Sequence, residues 1–182
     1  MARYRPGIET RQRIVDAARE LLAEGGADGA TVAAICQRAG IRPGSFYNLF
    51  DSKDQVVLTV VREAIEGVDP DPERAGTDTV AELLEAFIAF MENRPDLARI
   101  YIQIAVGGGS RSDHLHARVL RHHHSRVERF GAAMAREHPE MTGAEAHRRG
   151  ELLVAALNGL ALFTIIDPEY PFGSMARALL KE

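Results

Sequence analysis

The sequence predicts an all-α protein: a three-helix N-terminal head of helix-turn-helix form, joined by a fourth helix to a C-terminal helical-bundle body. Three observations predict it. No apolar–polar alternation of strand type is sustained over five residues, whereas apolar residues recur at helical spacing along most of the chain. Glycines and prolines such as Gly25-Gly26, Gly40, Pro43 and Pro168 stand where this periodicity breaks. Ser52, Thr79 and Thr142 are each followed three residues later by Gln or Glu, the pattern of a helix start.

The first helix is expected from about Thr10 to Glu24. Ile14, Ala17, Ala18, Leu21 and Leu22 form its apolar face, and Gly25-Gly26 ends it. The second opens at the N-cap Thr31, turns Val32, Ile35, Cys36 and Ala39 inward and stops at Gly40. The third is brief, about Pro43 to Phe50. Pro43 fits a first helical position, where its missing N–H would have had no intrahelical partner. The capping box at Ser52 opens a fourth helix to about Glu66, with Val56, Val57, Val60, Val61 and Ile65 as its core face. The stretch from Gly67 to Pro72 reads as a linker. A helix from Thr79 to about Asn93 follows, then one from Pro95 to Val106, which Gly107-Gly108-Gly109 stops. A long polar-rich helix spans about Asp113 to Glu137, and the last long helix runs from Thr142 until just before Pro168. A short helix over Ser174 to Lys181 completes the body. The natural division is 1–53 as head and 54–182 as body.

A chain of 182 residues, 46% hydrophobic, can bury a sizeable core. A single cysteine, Cys36, excludes a disulfide framework and a multi-cysteine zinc site. The N-terminus has no signal-like apolar stretch, and the longest apolar run, Leu152 to Ile166, is interrupted by Asn158, Gly159 and Thr164. The expectation is a soluble, cytoplasmic protein without a membrane partner. Net charge is −4, which argues against a generally basic nucleic-acid coat. Its distribution is uneven: residues 1–53 carry eight basic and six acidic side chains, the rest 14 and 20. A mildly basic head on an acidic body suits contact with phosphates at one end.

On a helical wheel of about 100° per residue, Phe46, Leu49 and Phe50 cluster on one side of the third helix, while Gly44 and Asn48 point the other way. Ser45 and Tyr47 flank them. The outer set suits double-stranded DNA. Asn48 can pair with an adenine edge, and Ser45 and Tyr47 can donate to bases or phosphates. Gly44 permits close approach of the helix N-terminus. Arg42 can reach a guanine edge or a phosphate, and Lys53 can anchor the backbone. Arg3, Arg5 and Arg11 form a basic N-terminal arm. The bland reading is an exposed helix face with no role.

The run Thr31-Val32-Ala33-Ala34-Ile35-Cys36-Gln37-Arg38-Ala39-Gly40-Ile41-Arg42-Pro43-Gly44-Ser45-Phe46-Tyr47-Asn48-Leu49-Phe50-Asp51-Ser52-Lys53-Asp54 resembles the signature of the TetR/AcrR family of bacterial transcriptional regulators. Turn, core and cap positions agree together, over roughly residues 10–60. The resemblance implies a DNA-binding head and a body for ligand binding and dimerisation. It implies that Thr31 contacts phosphate, that Arg42, Pro43, Gly44, Ser45, Tyr47 and Asn48 face DNA, and that Lys53 grips the backbone. Members often carry His where this chain has Leu49, so one polar contact is lost.

One head covers only a few base pairs, so useful affinity needs two heads on half-sites a helical turn or a multiple apart. In relatives the last two long helices form the homodimer interface. Leu153, Ala156, Leu157, Gly159, Leu160 and Ala161 are the expected interface residues, against the reading that this helix is central to the monomer core. The resemblance further implies a small-molecule effector, largely apolar, in a pocket among helices five to eight. Phe87, Phe90, Met91, Ile100, Tyr101, Ile104, Phe130, Asn158 and Phe163 are candidates, although apolar pocket and plain core look alike in sequence. Asn158 is the pointed case, because an amide on an apolar helix needs a partner.

Other chemistry is not indicated. His114, His116, His122, His123 and His124 lack the i, i+3 or i, i+4 spacing of a helical metal site, and a solvated face is expected. Gly107-Gly108-Gly109-Ser110 lacks the Gly-Lys-Ser/Thr ending of a phosphate loop. Cys36 is expected as a small core hydrophobe. No nucleophile–base–acid set is visible, so no enzyme, cofactor or metal is expected. The main alternative is a helical small-molecule-binding protein or enzyme without DNA binding. It leaves the polar groups of Arg42 to Lys53 unexplained.

Overall fold

The structure, a computed structural model, describes residues 5–68, 76–106 and 113–181. The helices among them are α1 (Arg5–Gly29), α2 (Val32–Ala39), α3 (Pro43–Tyr47), α4 (Lys53–Val68), α5 (Val80–Asn93), α6 (Pro95–Val106), α7 (Asp113–Glu137), α8 (Gly143–Ile166) and α9 (Phe172–Ala178). Residues 69–72 of the expected linker, Arg3, the Gly107–Gly109 stop and the side chains of Arg5, His114 and His116 lie outside the described residues.

Most helix ends follow from local chemistry. Thr31 caps α2 by accepting the Ala34 N–H at 3.1 Å, and Gly40 closes it at φ 63°, a left-handed conformation suited to glycine. Thr79 and Glu82 form a complete capping box on α5. The other two boxes differ from expectation. At Ser52 the hydroxyl accepts the Gln55 N–H, but the Gln55 side chain reaches the N–H of Asp51. At Thr142 the hydroxyl accepts the Glu145 N–H at 3.2 Å, while the Glu145 carboxylate bonds Arg149. The first helix begins earlier than expected, at Arg5, and is interrupted only at Gly26 (φ 65°). Gly67 is not linker: it belongs to α4, with the Phe90 ring packed where its side chain would be. The last helix is earlier than expected, Phe172–Ala178 rather than Ser174 to Lys181.

One core runs through head and body, from Ile14 in α1 to Ala176 in α9. Helix α1 packs on α2, α4 and α6. Arg19 reinforces this junction, with Glu63 of α4 at 2.6 Å and Asp96 of α6 at 3.9 Å. In the body, α7 and α8 run antiparallel in close contact. Their backbones meet at two glycines, where a Cβ on Gly150 would lie 2.6 Å from the Gly131 nitrogen. Buried Asp78 ties the start of α5 to α7 through Arg129 at 2.7 Å, and Arg177 of α9 grips Glu85 of α5 with two hydrogen bonds.

By length and composition α8 is apolar enough to cross a bilayer. Its two sides differ here. Leu153, Val154, Leu157 and Ala161 are buried in the core, while Leu152, Phe163 and Ile166 are exposed at 64%, 49% and 69%.

Candidate nucleic-acid interface and effector chamber

The head displays its polar face because its apolar face is fully used. Phe46 and Phe50 are buried with ring centroids 5.9 Å apart, and Leu49 packs half-buried against the same core. Thr31, Arg42, Pro43, Gly44, Ser45, Tyr47 and Asn48 are exposed, and Lys53 is half-buried at the start of α4. The Tyr47 ring stands edge-on to Phe46 at 5.3 Å, which holds its hydroxyl outward from a fixed base. The structure therefore gathers these eight residues along the outer edge of α2, α3 and the α4 start.

Several cations of the head are committed elsewhere. Arg38 is clasped by Glu20 and Glu24 of α1, and its pKa is raised by those hydrogen bonds. Arg13 donates to the carbonyls of Ala39 and Gly40, completing the end of α2. Arg11 is not part of a free arm: it lies on α1, its guanidinium 4.9 Å from the Phe50 ring centroid. Of the candidate residues, Arg42 is an exposed cation on this face, and Lys53 stands half-buried at the start of α4.

No atom lies within 4 Å of a Cβ built on Gly44, and its φ is not positive. The fold does not need glycine there. Gly44→Ala should leave the melting temperature unchanged or slightly raised, because alanine favours helix. The same methyl should weaken DNA binding by about 1–2 kcal/mol, the scale of a lost close contact. Paired melting and fluorescence-anisotropy titrations check both halves. Unchanged affinity would remove the reason for glycine at this position.

In the body, Phe87, Phe90 and Tyr101 form one aromatic group with centroids 6.1–6.4 Å apart. Phe172 of α9, absent from the sequence-based set, joins it at 5.7 Å from Phe87. Ile100 and Phe130 are buried core, and Met91 opens on a cleft at the far end with Tyr170 and Phe172. Tyr101 and Ile104 line a small cavity closed by Val61, Ala64 and Ile65 of α4 and Val119 and His122 of α7. Phe163 does not belong to this chamber. It points out from α8 and stacks on Tyr170 at 5.4 Å. The expected interface residues Leu153, Leu157 and Ala161 are likewise turned inward, while Gly159 is exposed and Ala156 and Leu160 sit at the margins. A helix apolar nearly all round gives a wheel no contrast, so the sequence leaves open which of its sides packs in the core.

The partner that Asn158 requires is Arg126 of α7, which donates to it at 3.1 Å and to the Tyr101 hydroxyl at 2.7 Å. Sequence reasoning missed Arg126 and the burial of His122. The available signal was their spacing: Arg118, His122 and Arg126 recur every fourth residue, one face of a helix.

His122 is 7% exposed, not solvated. Burial, aided by the positive charges of Arg126, His123 and Arg118, lowers its pKa from 6.5 to about 3. Tyr101 of α6 faces it edge-on, and the α4 side of the cavity is apolar. In the unfolded chain the imidazole takes up a proton at its ordinary value; in the folded chain it does not. Stability is therefore lost as pH falls below 6.5 and levels off near 3. The loss from this group is about 2 kcal/mol by pH ~5. Urea unfolding of His122→Phe at neutral and acid pH should show a shallower fall than the wild type. Parallel curves would contradict a neutral buried imidazole.

Fold and surface together define the class: a helix-turn-helix domain that presents a polar, cationic-edged recognition face, carried on an all-helical body. Residues 14–60 match the model of the family described as bacterial regulatory proteins, tetR family. The HTH-type transcriptional regulator UidR of Escherichia coli K12 is 37% identical over 70 residues, 32% of this chain and 36% of that protein. The match thus spans about a third of the length of the curated relatives. Solved structures share the whole fold. The MbdR regulator from Azoarcus sp. CIB has a TM-score of 0.75 at 19% identity, covering 93% of this chain and 94% of that one. SmeT, repressor of the Stenotrophomonas maltophilia multidrug efflux pump SmeDEF, has 0.65 at 23% identity, covering 92% and 86%.

Proposed function

We propose that this protein is a ligand-responsive transcriptional repressor that binds a palindromic operator as a homodimer and is released by a small effector held in its body. The observation that carries this reading is the exposed face of Arg42, Gly44, Ser45, Tyr47 and Asn48, backed by a fully buried Phe46 and Phe50 within a tetR-family domain. The eight residues from Thr31 to Lys53 named above are its DNA contacts. Phosphate is met by Thr31 and Lys53 and base edges by Arg42, Ser45, Tyr47 and Asn48. The working division is head 1–53 and regulatory body 54–182, acting in the cytoplasm. Two copies join through the exposed apolar stripe of α8, Leu152, Ala155, Gly159, Phe163 and Ile166, rather than through the buried Leu153, Leu157 and Ala161. The effector enters the chamber beside Tyr101 and Ile104. Likeness to SmeT, which is a repressor and has been solved with triclosan, supports a ligand-binding body. An effector acts only through unequal affinity for the DNA-competent and released states.

Selection of bound sequences from random oligonucleotides tests the proposal, and should return an inverted repeat with half-sites about one helical turn apart. On that site Tyr47→Ala should weaken binding by about 1–3 kcal/mol at fixed salt. An unrelated set of sequences, or equal affinity of the two proteins in gel-shift titration, counts against it.

A further inference from the structure

Arg126 is 5% exposed, yet no carboxylate pairs with it among the described residues. Its neighbours are neutral: the Tyr101 hydroxyl, the Asn158 amide oxygen and the face of Phe87, 4.4 Å from the guanidinium. Its Nη2 is buried with no acceptor in the described structure. A guanidinium does not lose its proton to relieve this. Buried charges are ordinarily paired, and an uncompensated one is held at a cost. The nearby buried carboxylate, Asp78, is already held by Arg129, one turn further along α7. Two turns before Arg126, the Arg118 Nε is also buried without an acceptor. Arg118, His122 and Arg126 thus form one stripe along α7, two cations flanking a neutral imidazole.

The stripe meets the small cavity at its middle residue. His122 lines it, and Tyr101 both lines it and accepts the Arg126 hydrogen bond. The remaining lining, Val61, Ala64, Ile65, Ile104 and Val119, is aliphatic. An apolar slot next to a buried cation with an unused donor matches a molecule with an apolar body and one negative end.

We infer that the effector is an organic carboxylate, its charged end accepted by Nη2 of Arg126 and its apolar portion lodged between α4, α6 and α7. The inference rests on the reading of the body as an effector site and narrows it from apolar ligand to anionic amphiphile. A carboxylate fits better than a phosphate, because one free donor on one buried arginine answers one charge. The free space is about 10 Å³, enough for a single water. Entry therefore displaces side chains, Tyr101 and His122 first, and moves α4 relative to α7. Since α4 begins at Lys53, this links the chamber to the DNA face.

The test uses the full-length protein and two probe pairs, benzoate with benzamide and octanoate with octanamide, by calorimetric titration. Each carboxylate should bind on the order of tenfold or more tightly than its amide, as expected for a charge-assisted bond. The preference should vanish in Arg126→Met and persist in Arg121→Met, which removes an exposed cation of the same helix. Arg126→Lys, which keeps the charge and loses the fork, should retain part of it, and serves if Arg126→Met does not fold. Amides binding as well as carboxylates would overturn the anionic assignment while leaving a ligand-binding body. A preference unchanged in both Arg126 variants would also overturn it. Binding of neither pair up to millimolar concentration would overturn the assignment together with the effector reading.

Discussion

Gly150→Val should strongly destabilise the body's central helix pair. A Cβ at this position would lie 2.6 Å from the Gly131 nitrogen, 3.0 Å from its Cα and 3.1 Å from the Val127 carbonyl oxygen. All three are backbone atoms, so no side chain can swing aside. The helices must separate, and every contact between α7 and α8 weakens with them. Overpacking of a rigid interface costs about 1–3 kcal/mol and occasionally more; a branched residue against two backbones belongs at the upper end. For a chain of this size, ~3 kcal/mol lowers the melting temperature by roughly 6–12 °C. Gly143→Ala, at the start of the same helix, is the control, with nothing within 4 Å of its Cβ, and should leave the fold at least as stable as before. Chemical denaturation of the two variants checks the contrast; equal stability would show that the crossing is looser than described.

The double substitution Leu152→Glu with Phe163→Glu should abolish operator binding at protein concentrations that saturate the wild type. Both side chains are largely exposed in a single chain, so neither change opens the core. Two glutamates at the centre of a paired apolar stripe would be buried without partners, which association cannot repay. The heads would then bind half-sites singly. Loss of the second, tethered contact removes about 10²–10⁴ in apparent affinity. Light scattering should report a monomer, and circular dichroism an unchanged helix content. A variant that stays dimeric would transfer the interface to another surface.

The head was legible in sequence because its determinants are local. Thr31, Gly40 and Pro43 mark boundaries that hold in the structure to the residue, and Phe46 and Phe50 are buried although α3 stops at Tyr47 rather than at Phe50. Helix positions in the body were also legible, down to the ends of α6 and α7. Orientation was not. Leu152 and Leu153 are equally apolar, and only the packing of α7 decides that the second is buried. His122 reads as solvated because ionisable side chains on a polar-rich helix usually are, and Arg126 is passed over for the same reason. Their burial depends on Tyr101 and Asn158, on other helices. The Gly131–Gly150 approach joins two residues in different helices, and no spacing rule within either announces it.

The way Arg19 joins three helices bears on how portable this head is. A boundary drawn at residue 53 cuts no linker: it leaves α1 with Glu63 and Asp96, its ionic partners, on the far side. Grafted onto a foreign body, the first 53 residues would arrive with a half-buried arginine and an α6-facing apolar surface made for a neighbour no longer present. The unit that can be exchanged intact between proteins of this fold is therefore larger than the head alone. Reprogramming this one is better done by rewriting the residues on the outer side of α3 than by transplanting the domain.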